Sequence, residues 1–141
     1  MNIEVKEVSW AEQEQALSQI RREVFIEEQH VPEELEWDGL DPDCRHVLAV
    51  DQDSGVPIGT GRLVADGQLG RMAVAKDYRR QGIGHKILQL LLDIARRDGH
   101  TQVYLHAQLT AVEFYQLAKF VASGDTFMDA GIPHINMSRV L

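Results

Sequence analysis

A short basic stretch that contains two glycines carries the clearest chemical signal in the sequence. It consists of Arg79, Arg80, Gln81, Gly82, Ile83 and Gly84. Glycine lets the backbone approach a ligand closely, and successive amides at the start of a helix converge on an anion with the helix dipole behind them. Lys76 and Lys86 add positive charge on either side. The stretch therefore predicts a phosphate-binding turn, while its spacing alone is equally compatible with an ordinary strand-to-helix turn carrying solvated arginines.

Two better-known phosphate loops do not fit these residues. A Walker motif requires Gly-Lys-Ser or Gly-Lys-Thr after four spacer residues, and the sequence after Gly82 has neither the spacing nor the hydroxyl. The dinucleotide fingerprint Gly-x-Gly-x-x-Gly is incomplete, because Ile87 stands where the third glycine would be. Any anion site here must belong to another class.

The elements that position this turn alternate between strands and helices. Alternating or continuous apolar runs predict six to seven strands, at residues 3–8, 46–51, 58–65, 68–75, 102–107, 121–127 and 134–140. Helical periodicity predicts one helix from Ser9 to before Pro32, a second over residues 83–98 and a third over 110–119. A short helical turn within the acidic loop 32–43 would make about four helices. The pattern predicts an α/β fold with a mixed, mainly antiparallel central sheet flanked by these helices.

Local signals predict where several of these elements begin and end. Residues 9–12 and 110–113 each read as a capping box, in which a hydroxyl and a glutamate satisfy amides at a helix start. The pair Asp66-Gly67 predicts a tight hairpin of type I′, with positive φ at both residues. Gly99 is placed to end the 83–98 helix in the left-handed conformation.

Composition limits the classes of protein that remain. The chain has 141 residues and a formal net charge of −8, which predicts a single domain over residues 1–141 and no nucleic-acid partner. No stretch is apolar enough to cross a membrane, and the N-terminus lacks the features of a targeting signal. Cys44 has no disulfide partner, and Cys44 with His46 is too small a set for a metal site. We therefore expect a cytoplasmic protein without a metal.

The turn forms part of a longer pattern. The spacing Arg79-x-x-Gly82-x-Gly84 follows a segment at 72–74 and precedes another at 111–117. In this order the segments resemble the GCN5-related N-acetyltransferase (GNAT) family, whose signature is Arg or Gln, two residues, Gly, one residue, then Gly or Ala. Residues 22–32 and 129–137 are similar to the ElaA-like branch of that family. One departure is Lys119-Phe120, where the family usually has Gly-Phe or Gly-Tyr.

The resemblance implies acetyl-CoA as cosubstrate and direct transfer of its acetyl group to a primary amine in a ternary complex. It implies that the turn at 79–84 binds the cosubstrate, that the strand segment Met72, Ala73 and Val74 holds the pantetheine arm and the acyl carbonyl, and that Tyr115 approaches the coenzyme sulfur. Tyr115 would then protonate the departing thiolate as a general acid. Without the resemblance, Tyr115 reads as a core aromatic.

The base that deprotonates the amine is left open by the sequence. Glu27 and Glu28 follow the apolar face of the first helix, and His106 and His134 lie at strand positions that could face a central cleft. For each of them the alternative is a solvated glutamate or a hydrogen-bonded histidine.

We expect the acceptor to be a small amine or a lysine-bearing peptide. An acidic acceptor cleft, formed by Glu27, Glu28, Glu33 and Glu34, would attract a cationic substrate. A homodimer is compatible with the sequence. A second class of function is a non-catalytic acyl-CoA-binding sensor or interaction module, which would keep the turn at 79–84 and have no use for Tyr115.

Overall fold

Seven strands form one mixed sheet in the computed structural model, which describes residues 2–141. The strands are β1 Ile3–Val8, β2 Arg45–Asp51, β3 Val56–Leu63, β4 Gln68–Val74, β5 Gln102–Gln108, β6 Val121–Asp129 and β7 Ile132–Val140. Their order across the sheet is β1-β2-β3-β4-β5-β7-β6. Of these neighbouring pairs, β4 and β5 are parallel and the others antiparallel. The predicted α/β class and mainly antiparallel sheet are confirmed.

Four α-helices accompany the sheet in the described part of the chain. They are α1 Trp10–Arg21, α2 Glu33–Glu36, α3 Ile83–Arg97 and α4 Val112–Leu117. A π-helical segment, Arg22–Glu28, continues α1. The predicted apolar face of α3 is buried in the main core, with Ile87 and Leu91 completely inaccessible to solvent. No helix of residues 2–141 has the length and apolar character needed to cross a membrane.

Helix ends follow the predicted signals at some positions and not at others. The Ser9 hydroxyl accepts from the Glu12 amide at 3.2 Å, and Gly99 adopts φ +89° after Asp98, the C-cap of α3. The capping box predicted at Thr110 is wrong. Thr110 lies inside a 3-10 turn, and that turn already satisfies the Val112 amide through the carbonyl of Leu109, so α4 begins without a side-chain cap.

The two tightest hairpins use different turns. The Asp66-Gly67 hairpin exists, but its predicted type I′ turn is wrong, because Gly67 has φ +97° and Asp66 does not have positive φ. The Gly67 amide donates to the Val64 carbonyl at 2.9 Å, which makes a three-residue loop with a left-handed third residue. Positive φ at two successive residues occurs instead between β6 and β7, at Ala130 and Gly131.

Candidate active site

A gap within the sheet forms the candidate site. The strands β4 and β5 pair at Gln68 with Tyr104 and at Leu69 with Leu105, and their pairing stops there. Beyond this point β4 bulges, with Arg71 at φ +50°, and the two strands separate. The separation opens a cleft of about 510 Å³.

The cleft brings together most of the predicted site residues. Its walls include Met72, Ala73, Val74, Arg79, His106, Tyr115 and His134. Ala73 and Val74 pair with β3 on one side, and on the side of β5 this part of β4 has no strand partner in the described chain. The backbone groups at this edge are therefore available to an extended ligand, apart from the Val74 carbonyl, which accepts from Arg79 Nε.

The start of α3 has the backbone shape expected for anion binding. Arg80 and Gly82 have φ of +63° and +80°, and no side chain caps the helix. A Cβ at Gly82 would have no neighbouring atom within 4 Å, so the space beside it is open. Gly84 lies against α4, and a Cβ there would be in ordinary van der Waals contact with the Phe114 ring at 3.4 Å. Gly82 thus allows close approach of a ligand, and position 84 has room for a small side chain.

Arg79 and Glu28 form an ion pair between this turn and the π-helical segment. The two terminal nitrogens of Arg79 each donate to one carboxylate oxygen of Glu28 at 2.7 Å, and its Nε donates to the Val74 carbonyl at 2.8 Å. These hydrogen bonds hold the pKa of Glu28 below its usual range. A carboxylate engaged in this way is a weak base, and its two hydrogen bonds hold the Arg79 guanidinium in place.

Tyr115 lies on α4 between the rings of Phe114 and Phe120. Burial raises the pKa of Tyr115 to about 12, so the phenol is protonated at neutral pH. Its hydroxyl is 3.7 Å from the sulfur of Met72. A thioether is a weak acceptor, so the hydroxyl is free to donate to a stronger one.

His106 and His134 lie on the same face of the sheet. Across β5 and β7, Gln108 pairs with His134 and His106 pairs with Asn136, and directly paired residues lie on the same face of the sheet. Gln108 and His106 are two residues apart on β5, so they also share a face, and His106 therefore lies on the face of His134. The Phe127 ring lies next to both imidazoles, with ring centres 5.1 Å from His106 and 5.9 Å from His134. The sheet thus brings both histidine candidates to one wall of the cleft.

The tautomer of His134 follows from its hydrogen bond. Nδ1 lies 2.6 Å from the Ile132 carbonyl oxygen, which can only accept, so Nδ1 carries the proton. In the neutral ring the lone pair then lies on Nε2. The hydrogen bond therefore fixes which of the two ring nitrogens can accept.

The acidic residues expected in the cleft are not in its lining. Glu27, Glu28, Glu33 and Glu34 lie outside it, and Glu33 forms an exposed ion pair with Arg22. The carboxylates that line the cleft are instead Glu36, Asp38 and Asp129. The expectation of an acidic cleft built from those four glutamates is therefore wrong.

Glu36 and Asp38 belong to a buried charge cluster, which also contains Asp41 and three arginines. Its members are Arg21, Glu36, Asp38, Asp41, Arg62 and Arg71. Arg21 donates to Glu36 at 2.8 Å and to Asp41 at 2.7 Å, and the Trp10 and Trp37 rings lie 5.6 and 5.0 Å from its guanidinium. Three positive and three negative charges give the cluster a net charge of zero.

The cluster was missed at the level of sequence, although a signal for it exists. Arg62 and Arg71 interrupt apolar strand segments, and a charged residue inside a buried strand requires a partner. Gln108 was also missed; its amide donates to Gln29 at 2.9 Å and joins β5 to the end of the π-helical segment beside the cleft. No sequence pattern marked that pair.

Comparison with known proteins identifies the class that this fold and cleft define. The family model of the acetyltransferase (GNAT) domain matches residues 8–141, so the chain belongs to the GNAT family. Within it the chain falls in the ElaA-like branch. It is 32% identical to the protein ElaA of Escherichia coli over 131 residues, which cover 88% of this chain and 85% of ElaA.

Solved structures agree with this assignment. An acyl-CoA N-acyltransferase from Pseudomonas aeruginosa superposes with a TM-score of 0.87 at 32% identity, covering 99% of this chain and 100% of that one. The PaiA N-acetyltransferase of Thermoplasma acidophilum, solved in complex with coenzyme A, superposes with a TM-score of 0.75 at 18% identity over the whole of both chains. At that identity the second comparison shows a shared fold.

Proposed function

We propose that the protein transfers an acetyl group from acetyl-CoA to a primary amine, with both substrates in the cleft between β4 and β5. The observation that carries the proposal is the placement of a protonated phenol, Tyr115, beside the β4 segment that has no strand partner on its β5 side. Membership of an acetyltransferase family supports acyl transfer. The coenzyme A complex of the Thermoplasma structure supports a CoA cosubstrate.

Acetyl-CoA, when bound, supplies the acyl thioester. The amides of residues 81–84 at the start of α3 bind its diphosphate, and Arg79, Arg80 and Lys86 add positive charge. Met72, Ala73 and Val74 bind the pantetheine arm through their backbone groups. Glu28 takes part indirectly, because it fixes the guanidinium of Arg79.

The chain handles two protons during transfer. An amine of pKa near 10.4 is mostly protonated at neutral pH, and Nε2 of His134 accepts a proton from it directly or through water. The amine nitrogen then bonds to the acyl carbon, the carbon–sulfur bond breaks, and Tyr115 donates its proton to the thiolate. The nitrogen loses its second proton as the amide forms, and this proton passes through solvent to the Tyr115 phenolate, which restores the phenol. His106, on the same wall of the cleft, is the second candidate for the base.

The proposal is tested by Tyr115→Phe, which keeps the ring packing and removes the proton donor. We expect release of free thiol from acetyl-CoA, followed across a panel of amines, to fall by roughly 10²- to 10⁴-fold, with cosubstrate affinity little changed in calorimetry. Tyr104→Phe is the matched control, because its hydroxyl bonds to Asp66 outside the cleft.

Each alternative gives a different result. Turnover within about threefold of wild type in Tyr115→Phe would show that the proton comes from another group. A wild-type protein that binds acetyl-CoA but releases no thiol with any amine would support the non-catalytic sensor.

The base is tested by His134→Gln and His106→Gln, with Glu28→Gln beside them. The glutamine side chains preserve hydrogen bonding and do not titrate. We expect His134→Gln to remove the acidic limb of the kcat/KM profile and Glu28→Gln to keep it. An unchanged profile in all three variants would exclude these residues as the base.

A further inference from the structure

Arg71 is the member of the buried charge cluster that brings a positive charge to the lining of the cleft. Arg21 and Arg62 are almost fully buried and lie outside the cleft lining, whereas the side chain of Arg71 is 25% exposed. The bulge in β4 directs this side chain to α2, where one terminal nitrogen donates to the Glu36 carbonyl at 3.0 Å. The guanidinium thus forms part of the wall of the cleft formed by α2 and the loop after it.

Part of this guanidinium has no protein partner. Its bonds to Leu35, Glu36 and Asp38 all come from Nη2, and Nε lies 3.1 Å from the Glu36 carboxylate without the geometry of a hydrogen bond. Nη1 has no bond within residues 2–141 and, unlike Nε, is not buried. Two N–H groups on Nη1 are therefore free to donate to a group within the cleft.

Arg71 shares its carboxylate partners with two other arginines. Arg21 and Arg62 draw on the same carboxylates, because Arg21 bonds to Glu36 and Arg62 bonds to Asp38. Burial, with some repulsion from Arg62 and Arg21, lowers the pKa of Arg71 below its usual range, whereas the bonds from Asp38 and Asp41 raise the pKa of Arg62. An anion placed at Nη1 would give Arg71 a partner that it does not share with the other two arginines.

We propose that the acceptor is an aminocarboxylate, whose carboxylate binds Arg71 while its amine lies near Tyr115. This inference rests on the proposed function and gives it a substrate class. Arg71 and Tyr115 both line this one cleft of about 510 Å³, so a single small molecule in it can contact both groups. An amino acid fits this arrangement better than a simple alkylamine or the side chain of a lysine within a peptide.

The test compares pairs of amines in which one member carries a carboxylate and the other lacks it. Glycine is paired with methylamine, β-alanine with ethylamine and γ-aminobutyrate with propylamine, and kcat/KM is measured by thiol release from acetyl-CoA. We expect the aminocarboxylate of at least one pair to be preferred by roughly 10- to 100-fold, the usual worth of hydrogen bonds to a charged group. Equal kcat/KM within every pair would overturn the inference and leave the proposed function standing.

Variants connect such a preference to Arg71. Arg71→Gln should remove the preference, and Arg71→Lys should retain part of it because the charge remains. Arg45→Gln is the control, since Arg45 forms an exposed ion pair with Asp98 outside the cleft. A preference that persists undiminished in a folded Arg71→Gln protein would overturn the assignment. If that variant does not fold, Arg71→Lys decides, because an unchanged preference there would mean that the guanidinium makes no contact.

A binding measurement separates this inference from the proposed function. If no amine in any pair releases thiol, acetyl transfer to these amines fails as a function. The same amino acids are then titrated by calorimetry into wild type and Arg71→Lys in the presence of coenzyme A. Binding that weakens in the variant supports a carboxylate site at Arg71, and absent or equal binding overturns it.

Discussion

Two charged segments border the cleft, and they use their charge in opposite ways. The turn at residues 79–84 ends in backbone amides that no side chain caps, beside open space at Gly82. The loop at 32–43 contributes Glu36, Asp38 and Asp41, whose carboxylates bind buried arginines. The first segment has polar groups available for a ligand, and the second has used nearly all of them within the protein.

The difference shows how a ligand site can be separated from a structural cluster. Charge density alone would not distinguish the acidic loop from the basic turn as a candidate ligand site. Buried charges are stable when paired, so a balanced cluster fixes the loop against β3 and β4. Groups without a partner at the edge of a cleft are where binding energy remains available. Arg71 is the point at which the two kinds of region meet.

The largest effect is expected from breaking the buried cluster. Arg62→Met would leave Asp38 and Asp41 without one of their partners in the interior, and the free energy of unfolding should fall by about 3–5 kcal/mol. Urea denaturation measures this change. Arg45→Met, which removes an exposed ion pair, should cost at most about 1 kcal/mol. Similar losses in the two variants would mean that the cluster contributes no more than a surface pair.

The next largest effect is expected in the turn at residues 79–84, where a substitution should weaken the binding of acetyl-CoA. Gly82→Asp puts a side chain at φ +80° and a carboxylate beside the amides of α3, so affinity for acetyl-CoA should fall by about 100-fold or more. Calorimetry on the folded variant measures it. Gly55→Asp is the matched control, because Gly55 has φ +75° and equally open surroundings in the β2–β3 turn. Unchanged affinity in Gly82→Asp would remove the turn from the binding site.

A smaller effect on the free energy of unfolding is expected when the pH is lowered. Burial lowers the pKa of His46 below 6.5, and Arg62 with its neighbours keeps the pKa of Asp38 below 3.8. The unfolded chain therefore takes up protons first, so stability should fall as the pH decreases from 6.5, and again below 3.8. Each group contributes a slope of at most about 1.4 kcal/mol per pH unit. His46→Gln should remove the first decrease in urea titrations, and a persistent decrease would assign it to other groups.

The smallest effect is expected at the ion pair between the basic turn and the π-helical segment. Glu28→Gln removes the carboxylate that fixes Arg79, and affinity for acetyl-CoA should fall by about two- to fivefold, as for a partly exposed ion pair. Glu33→Gln, which breaks the exposed pair with Arg22, should leave affinity unchanged. A large loss of turnover with unchanged affinity in Glu28→Gln would instead favour direct participation in catalysis.

Much of the sheet could be predicted because its strands alternate or bury continuous apolar runs. β1 begins and ends at the predicted residues, and the other strands differ by one or two residues at most of their ends. α4 was less predictable at both ends. Its start is set by a 3-10 turn. At its end Lys119 adopts φ +69°, a conformation that glycine favours, and the Phe120 amide donates to the Tyr115 carbonyl.

The parts of the candidate site that depend on local backbone conformation could be predicted from the sequence. The parts that depend on ion pairs between residues far apart along the chain could not. Gly82 and the β4 segment 72–74 could be identified from spacing and from the resemblance. The roles of Glu28 and Arg71 could not, because their partners lie 51 and 35 residues away along the chain. Long-range ion pairs leave no periodicity in a single sequence.

The π-helical segment Arg22–Glu28 has a consequence for chain length. The Gln29 amide donates to the Val24 carbonyl, five residues back, so this part of the helix holds one residue more than an α-helical turn would. Deleting a single residue there would restore the α-helical phase and rotate the downstream side chains by about 100° relative to those upstream. Glu28 would then turn away from Arg79 while α1 kept its own contacts. The wall of the cleft on this side therefore depends on one inserted residue, and a relative that lacks it must fix its arginine by other means.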